Sequence, residues 1–555
     1  MYFVPLPRPR TLILGTALFF ALMSLTGLAQ SELQEVQKSD QGSPWQVPLS
    51  QNPTPHFQRV LGHEVLFVNG RPFTALATEI PWWHVIYGRY DETESAYDFL
   101  YPAARALGLN ALKVPVKWSM IEPREGDYDF SYVDHAREMA EKYHLKLVLE
   151  WFGHYASGDG NIYRNLTGEM FAPYYIVKNE KDYPRAIDGN GVRHHNAASY
   201  DYPRIIKRET AAFTAFMQHI KDIDPRTHTV VMIQVENEIA VFGDYPYDRK
   251  FWRDHSPASN KLFAEKGFTD DLKYSAWDLS QNWIRPLTNA GAAVYPIPFF
   301  LNFVERKLEP GIIGGVPGED LQTYLDDCTH INFIGLNLYA PAGISSEDLK
   351  DRLAPYALGR NIPAVTETNS GPHHVAPRLA YIAIGDFGSP IVSPWALTVS
   401  SLTPFKPYVL SDGSMANGAF SLRDAFSALA MALAQVSCYG GTKMLRVFMA
   451  YVPGTQFSET KDVNGAQVSV SGVDNGQAIV IHPSRHQFLI LGYRCWVTFR
   501  GPVFQWPAMK QVHVERGYFV GDEWKQKGAA DYTIDETHKR LGIQVNAPQV
   551  IRVWW

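Results

Sequence analysis

Cysteine is scarce in this sequence, which has only three in 555 residues: Cys328, Cys438 and Cys495. None of them lies close to another, so the sequence has neither a Cys-rich metal-binding motif nor a disulfide framework. The pattern leaves room for one disulfide bridge. A chain of this length does not depend on such bridges, because it can bury a large apolar core.

An excess of basic residues is also lacking. The chain has 51 Lys and Arg residues against 57 Asp and Glu residues, and its formal net charge is −6. No run of basic residues stands out, whereas proteins that bind nucleic acids usually carry a basic patch. We therefore expect no nucleic-acid partner.

Long apolar runs are absent apart from one near the N-terminus. Two arginines precede the apolar stretch 12–25, and small residues follow it at 27–29. This order is typical of a signal peptide over residues 1–29, and the run is shorter than a spanning helix requires. We expect an exported protein, periplasmic or extracellular, with no membrane contact beyond the signal; the alternative is an uncleaved anchor. Residues 30–58, rich in Gln, Ser and Pro, are predicted to form a linker.

Apolar, strand-like segments recur along most of the chain. They begin near residues 73, 110, 145, 229, 294, 331, 362 and 390, and helical patterns separate most of them. Eight such β–α units predict an α/β fold, a (β/α)8 TIM barrel over residues 59–437. The main alternative is an open doubly wound sheet, but no Gly-rich phosphate loop follows the first strand. Residues 438–555 contain short β-prone segments and turns, which predict a C-terminal β-sandwich-like domain.

Several predicted strands end in polar side chains. The apolar segment 230–235 is interrupted only by Gln234, yet Glu236-Asn237-Glu238 follows it directly. Burying an ionised group costs on the order of several kcal/mol unless it is paired with a countercharge or serves in a site. TIM barrels place their sites at the carboxyl ends of the strands. Other polar ends are Glu79, Lys117, Glu150, Asn337 and Glu367. Paired carboxylates without a Cys/His metal pattern indicate acid–base or glycosyl-transfer chemistry.

The order of the residues at 236–238 raises a geometric problem. Side chains alternate along a strand, so Glu236 and Glu238 should share a face that Asn237 does not. Asn237 and Glu238 can reach one ligand together only if the strand ends or bulges at this point. Glu236 is then expected to be a buried, hydrogen-bonded support.

Two motifs resemble those of known glycosidases. The segment Trp118-x-x-x-Glu122-Pro123-x-x-Gly126-x-Tyr128-Asp129-Phe130 resembles W-x-x-x-E-P-x-x-G-x-[YF]-[DN]-F of the (β/α)8 retaining glycosidases, especially β-galactosidases of glycoside hydrolase families 35 and 42. Residues 234–238 closely resemble the Q-V-E-N-E of family 35. With residues 110–116 and 149–153, they are similar to the shorter bacterial branch of that family. That branch carries a C-terminal β domain, which residues 487–492 and the Trp-rich end resemble.

This resemblance implies specific roles for three residues. Glu238 corresponds to the acid/base, Asn237 to the neighbour that binds the sugar 2-hydroxyl, and Glu367 to the nucleophile. The chain departs from the larger family members at two places. Ile239-Ala240 replaces the usual Tyr-Gly after the acid/base. The residues after Glu367 lack the usual aromatics.

Four further residues are predicted to contact substrate, each with an alternative role. Glu79 would bind a hydroxyl or pair with a neighbouring side chain. Tyr339 would steady the nucleophile or simply pack. Trp151 and Trp395 would form a platform for a sugar ring or belong to the core.

The activity implied by the resemblance is that of a secreted retaining exo-β-galactosidase. Such an enzyme removes terminal β-galactosyl residues from oligo- or polysaccharides, plant hemicellulose side chains among them, by double displacement with two Glu. A carbohydrate is the expected partner, and neither a metal nor an organic cofactor is required. The alternatives are another β-glycosidase of the clan, a β-mannosidase or β-glucosidase, and a non-catalytic carbohydrate-binding protein on the same scaffold.

Overall fold

The structure is a computed structural model, and it describes residues 45–81, 98–153, 171–241, 252–305, 321–372, 374–398, 406–484, 486–500 and 512–555. The chain divides into two units, Met1–Gln46 and Val47–Trp555, and the architecture below belongs to the second. The predicted signal peptide lies outside the described residues.

Strands occur along the whole second unit. In chain order they are β1 (His56–Val60), β2 (His63–Val68), β3 (Arg71–Pro72), β4 (Ala75–Leu76), β5 (Ala111–Lys117), β6 (Lys146–Phe152), β7 (Arg185–Ile187), β8 (Arg193–Ala198), β9 (Val230–Val235), β10 (Phe299–Val304), β11 (Ile331–Leu338), β12 (Val365–Thr368), β13 (Ile391–Val392), β14 (Leu445–Met449), β15 (Phe457–Val463), β16 (Ala466–Ser484), β17 (Gln487–Arg500), β18 (His513–Val520), β19 (Glu523–Ala529), β20 (Tyr532–Asp535), β21 (Arg540–Val545) and β22 (Gln549–Trp554).

Helices are concentrated between residues 100 and 439. The α-helices are Leu100–Ala106, Trp118–Ile121, Ser131–Lys142, Tyr174–Val177, Pro203–Ile223, Pro257–Glu265, Asp271–Asp278, Arg285–Val294, Leu321–Asp327, Ser346–Leu353, Val375–Phe387, Ala419–Ala430 and Leu433–Tyr439. A π-helix, Leu279–Ile284, joins two of them, and Ala354–Tyr356 forms a 3-10 turn.

Eight parallel strands form the central sheet, in the hydrogen-bonded order β4-β13-β12-β11-β10-β9-β6-β5. The two ends of this series meet beyond β4. There Glu79 bridges in parallel to Lys113 of β5, and the Ile80 N–H donates to the Lys113 carbonyl at 2.9 Å. The sheet therefore closes into a barrel, and each predicted strand corresponds to one of its members. The predicted (β/α)8 fold is confirmed.

The apolar pattern explains why these segments occupy the barrel. All six residues of β9 are buried, as expected for a strand covered on both faces. The helix that precedes it, Pro203–Ile223, begins with Pro in its first turn and buries Ile206, Phe213, Phe216 and Ile220 along one face. A helix with one apolar face covers the outside of the barrel, as the β–α pattern predicts.

The C-terminal region is an antiparallel sheet of nine strands, β14 to β22. In the first part of β16, buried Ala466, Val468 and Val470 alternate with more exposed Gln467 and Ser469, which is the pattern of a sheet with one solvated face. The predicted C-terminal β domain is thus confirmed as a fold class. The predicted boundary between residues 437 and 438 stays a prediction; the helix Leu433–Tyr439 crosses it.

The three cysteines are all buried and free, so the one disulfide bridge for which the sequence left room is not formed. Within the described part of the chain, no helix combines the length and the apolar character that crossing a membrane would need.

The sheet packs closely against the barrel at Gly385. This residue lies in the helix Val375–Phe387, and a Cβ added to it would lie 2.3 Å from Val447 Cγ2 on β14 and 3.2 Å from Leu445 Cδ2. Such distances are overlaps, so only glycine allows the helix to approach the strand this closely.

We expect Gly385→Ala to destabilise the protein. In an exposed helix this change would gain about 1 kcal/mol, but overpacking a core costs about 1–3 kcal/mol. Chemical denaturation should show a lower free energy of unfolding. The matched control is Gly343→Ala, where a Cβ meets nothing within 4 Å; we expect no loss there. Equal stability of the two variants would contradict this view of the interface.

Candidate active site

A layer of polar side chains lines the inside of the barrel near the carboxyl ends of its strands. TIM-barrel interiors are usually filled by branched apolar residues, but this layer is polar and almost fully buried. Its members are Glu79, Lys113, Glu150, Gln234, Asn302, Asn337 and Glu367. Side chains with hydrogen-bonding capacity are thus gathered at the end of the barrel where this fold places its sites.

Lys113 is the cation of this layer and has no solvent exposure. Its Nζ lies 2.7 Å from Glu79 Oε2, 3.4 Å from Glu150 Oε1 and 3.8 Å from Glu367 Oε1. Three carboxylates therefore surround one ammonium group. Of the three carboxyls, Glu367 is the one that Lys113 holds most weakly, because Glu79 and Glu150 lie closer to the ammonium.

Burial and mutual charge change the pKa values of this cluster. Burial, followed by the charge of Glu150, raises the pKa of Glu79 well above its usual value, with Lys113 opposing. Burial also raises the pKa of Glu150 to about 7. Burial alone would lower the pKa of Lys113, but the charges of Glu150, Glu79 and Glu367 outweigh it and raise that pKa. The ammonium therefore stays charged at neutral pH, and Glu79 and Glu150 ionise less readily than ordinary carboxyls.

The same three carboxylates are the one group of His, Cys, Asp or Glu side chains in the described ranges that could hold a metal ion. One oxygen from each lies within 4.8 Å of the others. The Lys113 ammonium already supplies positive charge among them. That no metal is needed stays a prediction.

Glu367 is placed at the end of β12 and is 5% exposed. The Tyr339 hydroxyl donates to its Oε2 at 2.5 Å, and Asn302 Nδ2 lies 3.3 Å from its Oε1. Each oxygen of this carboxyl thus has a donor. Glu367 also contributes to raising the pKa of Tyr339 well above its usual value, after the effect of burial, so the phenol remains a donor.

Strand β9 ends at Val235, before Glu236-Asn237-Glu238, and this resolves the problem of alternation. Glu236 and Glu238 both have left-handed backbone conformations, with φ of 64° and 48°. Such conformations are uncommon for residues other than glycine. The chain therefore turns at 236–238, and Asn237 and Glu238 both become half-buried residues at the mouth of the barrel.

Two asparagines hold this turn against the neighbouring strands. The Glu238 N–H donates to Asn302 Oδ1 at 2.9 Å, and Asn337 Nδ2 donates to Glu238 Oε1 at 2.7 Å. Asn337 is itself oriented by Thr366, whose hydroxyl donates to its Oδ1 at 2.9 Å. Asn302 Nδ2 lies 3.3 Å from both Asn337 Oδ1 and Glu367 Oε1. A chain of amides thus connects Glu238 with Glu367.

The Asn237 amide lies between the turn and the carboxylates. With its nitrogen directed towards them, it donates to Glu150 Oε1 and Glu367 Oε1, each at 3.2 Å. Gln234 Nε2 donates to Glu150 Oε1 as well, at 2.6 Å. Asn237 is therefore brought to the same place as Glu367, and its contact with a sugar 2-hydroxyl stays a prediction.

Other predicted contacts have different surroundings. Trp151 is fully buried, packs against Phe213 and Phe216, and donates its indole N–H to Glu209 at 3.0 Å. A sugar platform needs an exposed ring face, so the structure corrects this prediction: Trp151 is a core residue. Glu79 is paired with Lys113 and 1% exposed, which favours the pairing role.

Trp395 and Tyr339 remain beside the candidate nucleophile. Trp395 is partly exposed and bridges in parallel to Asn369, two residues after Glu367. Tyr339 donates to Glu367. Their contacts with a substrate stay predictions.

Sequence reasoning missed three polar residues of this region: Lys113, Asn302 and Glu209. Lys113 lies within the apolar run of β5, and Asn302 lies within that of β10. A lone polar residue inside an otherwise apolar strand was the available signal, because such residues are seldom buried without a partner. Glu209 lies on a helix, where the sequence offered no comparable signal.

Several solved glycosidase structures resemble this one at low sequence identity. The β-galactosidase of the psychrophilic Marinomonas ef1 is 13% identical, with a TM-score of 0.46 over 65% of this chain and 62% of that one. Gan42B, a GH42 β-galactosidase from G. stearothermophilus, is 11% identical, with a TM-score of 0.45 over 87% of this chain and 99% of that one. The exo-β-1,4-mannosidase Op5Man5 from Opitutaceae bacterium strain TAV5 is 14% identical, with a TM-score of 0.43 over 70% and 63%.

Similarity at the level of sequence is not detected. No sequence profile of a known protein family matches the chain, and no curated protein is significantly similar to it. The chain spans about 62% of the length of the Marinomonas enzyme. Membership of family 35 therefore stays a prediction from the motifs.

We expect Lys113→Met to destabilise the protein by about 3–5 kcal/mol, because removing one partner of a buried ion pair leaves the other charge uncompensated. The measurement is the free energy of unfolding. The double variant Lys113→Met/Glu79→Gln also removes the carboxyl closest to the ammonium, so it should recover part of the loss.

The matched control is Lys350→Met, since Lys350 forms a surface pair with Asp386 at 3.0 Å. Exposed pairs contribute about 0–1 kcal/mol. If Lys113→Met were as mild as this control, Lys113 would not be the charge on which the cluster depends.

Proposed function

We propose that this protein is a retaining exo-β-galactosidase that removes terminal β-galactosyl residues from oligo- or polysaccharides. The observation that carries the proposal is the convergence of Glu238 and Glu367 from β9 and β12 through Asn302 and Asn337. Two carboxyls of different surroundings at one barrel mouth suit glycoside hydrolysis by a general acid and a nucleophile.

Glu367 is the proposed nucleophile. Its buried carboxylate is held by donors on both oxygens and by Lys113, which fixes its direction of attack. In the first step, one Glu367 oxygen forms a bond to the anomeric carbon. The bond from that carbon to the leaving oxygen breaks, and the leaving oxygen keeps the electron pair.

Glu238 is the proposed acid/base. It is half-buried at the mouth, where a leaving group would enter, and its Oε1 accepts a hydrogen bond from Asn337. In the first step it gives its proton to the leaving oxygen. In the second step it takes a proton from water, which attacks the anomeric carbon and releases the sugar from Glu367.

Three further features belong to the proposal. Asn237, beside both Glu150 and Glu367, would bind the 2-hydroxyl. The motifs at 118–130 and 234–238 support membership of family 35. The N-terminal stretch 1–29 supports export to the periplasm or the outside of the cell.

Azide rescue should distinguish the two carboxyls by stereochemistry. In Glu367→Gly, azide would replace the nucleophile and yield the α-galactosyl azide from an activated β-galactoside. In Glu238→Ala, azide would attack the glycosyl-enzyme and yield the β-azide, because the first displacement still occurs. NMR of the products provides the measurement. We expect the loss of Glu238 to lower kcat/KM by about 10²–10⁴-fold for substrates with poor leaving groups.

The exposed Glu138 provides a control, since Glu138→Ala should leave the activity unchanged. Absence of rescue in both variants, or full activity in either, would contradict the assigned roles.

A panel of nitrophenyl glycosides tests the choice of sugar. We expect the highest kcat/KM with the β-galactoside. The panel is then extended to galactose-bearing plant oligosaccharides. A preference for the β-mannoside or β-glucoside would make the protein another β-glycosidase of the same clan. Binding of sugars without turnover of any of them would indicate a carbohydrate-binding protein.

A further inference from the structure

Two carboxyls face each other immediately behind the turn that carries Glu238. Glu236 comes from the first position of the turn, and Glu209 comes from the helix Pro203–Ile223. A Cβ added to Gly153 would lie 1.9 Å from Glu209 Oε1 and 2.1 Å from Glu236 Oε1. Both oxygens therefore meet at the same backbone position, which only glycine leaves open.

The donors around this pair are unevenly distributed. Trp151 Nε1 donates to Glu209 Oε1 and Trp283 Nε1 donates to Glu209 Oε2, both at 3.0 Å. Glu209 is thus surrounded as an ionised carboxylate would be, with a donor on each oxygen. Glu236 accepts from the Gly153 N–H at 2.6 Å, and among the described residues it forms no ion pair.

We propose that Glu236 and Glu209 share one proton, carried by Glu236, and that this proton holds the turn that presents Asn237 and Glu238. The inference rests on the proposed function, since it assigns Glu236 and Glu209 as positioning residues for that reaction. Neither residue would touch the sugar.

The surroundings of Glu236 favour its protonated form. Glu236 is 1% exposed. Its pKa is raised well above the usual value, first by burial, then by the charge of Glu209 and the hydrogen bond to it. Among the residues that the structure describes, the charge of Glu150 acts in the same direction. A protonated Glu236 can donate to Glu209. Two ionised carboxylates whose oxygens meet beside Gly153 would repel each other.

The turn needs such an anchor because its backbone is unfavourable. Left-handed conformations at residues other than glycine persist only where the surrounding structure over-determines them. The Glu236 side chain fixes the start of the turn from behind, and the Glu238 N–H fixes its end through Asn302. Loss of the shared proton would release the first of these two restraints.

Three substitutions distinguish this proton from ordinary packing. In Glu236→Gln the amide oxygen can keep the hydrogen bond from the Gly153 N–H, the amide nitrogen takes the position of the other, buried carboxyl oxygen as a donor towards Glu209, and the group cannot ionise. In Glu236→Ala the donor is lost. In Glu209→Gln the amide nitrogen would face one of the two indole N–H groups. We expect Glu236→Gln to keep kcat within about three-fold, and the other two variants to lose at least about ten-fold of kcat, with little change in KM.

The pH dependence supplies a readout that packing alone would not move. An acid with a raised folded pKa contributes stability that is fully present below its unfolded pKa and is lost as pH rises through the folded value. Wild-type activity and melting temperature should therefore fall on the alkaline side more steeply than those of Glu236→Gln. The exposed control Glu138→Gln should follow the wild type.

An activity-independent measurement separates this inference from the proposed function. The infrared difference spectrum between wild type and Glu236→Gln at neutral pH should contain the C=O stretch of one carboxylic acid. If that band is present but no glycoside is cleaved, the proposed function fails and the shared proton stands. If the band is absent, the shared proton is rejected whatever the activity. In an active enzyme it is also rejected if Glu236→Gln loses as much kcat as Glu236→Ala. This comparison needs only the near-isosteric Gln variant to fold.

Discussion

Negative charge buried at the mouth of a barrel has to be compensated from within the protein, because water is excluded from it. Three carboxyls surround the Lys113 ammonium at distances between 2.7 and 3.8 Å. Burial, together with the repulsion between carboxyls that one cation cannot fully offset, raises the pKa of Glu79 well above its usual value and that of Glu150 to about 7. The segment that follows β4 and the strands β5, β6 and β12 are therefore linked by charge as well as by hydrogen bonds.

The polar layer also makes its members depend on one another. Asn302 donates towards Glu367 and accepts from the Glu238 backbone, while Asn337 donates to the Glu238 carboxyl and accepts from Thr366. Each of these amides uses both its donor and its acceptor. In a medium of low dielectric such a network fixes geometry, because breaking one bond leaves a buried group unsatisfied. The relative positions of Glu238 and Glu367 thus follow from neutral amides more than from direct charge contacts.

The segment Glu236-Asn237-Glu238 has a geometry that the sequence pattern could not predict. The apolar run 230–235 correctly indicated a buried strand, and the polar residues after it correctly indicated the mouth of a barrel. The period of two that describes a strand could not place residues 236 and 238, since both adopt left-handed conformations. Gly153 and Glu209, which shape that turn from behind, belong to distant parts of the chain. Trp151 was misjudged for a related reason: a Trp at a strand end can point outwards to a ligand or inwards to the core, and only the packing of Phe213 and Phe216 decides between them.

The sequence by itself determined the succession of eight strands and their helices, the change to an antiparallel sheet near the C-terminus, and the polar character of the strand ends. Local periodicity and burial specify these features, so a single chain read in order contains them. Only the tertiary structure decided which polar groups meet: Lys113 with three carboxyls, Asn302 with the turn, and Glu209 with Glu236. These contacts join residues from different strands and helices, and their distances depend on how the barrel closes between Glu79 and Lys113.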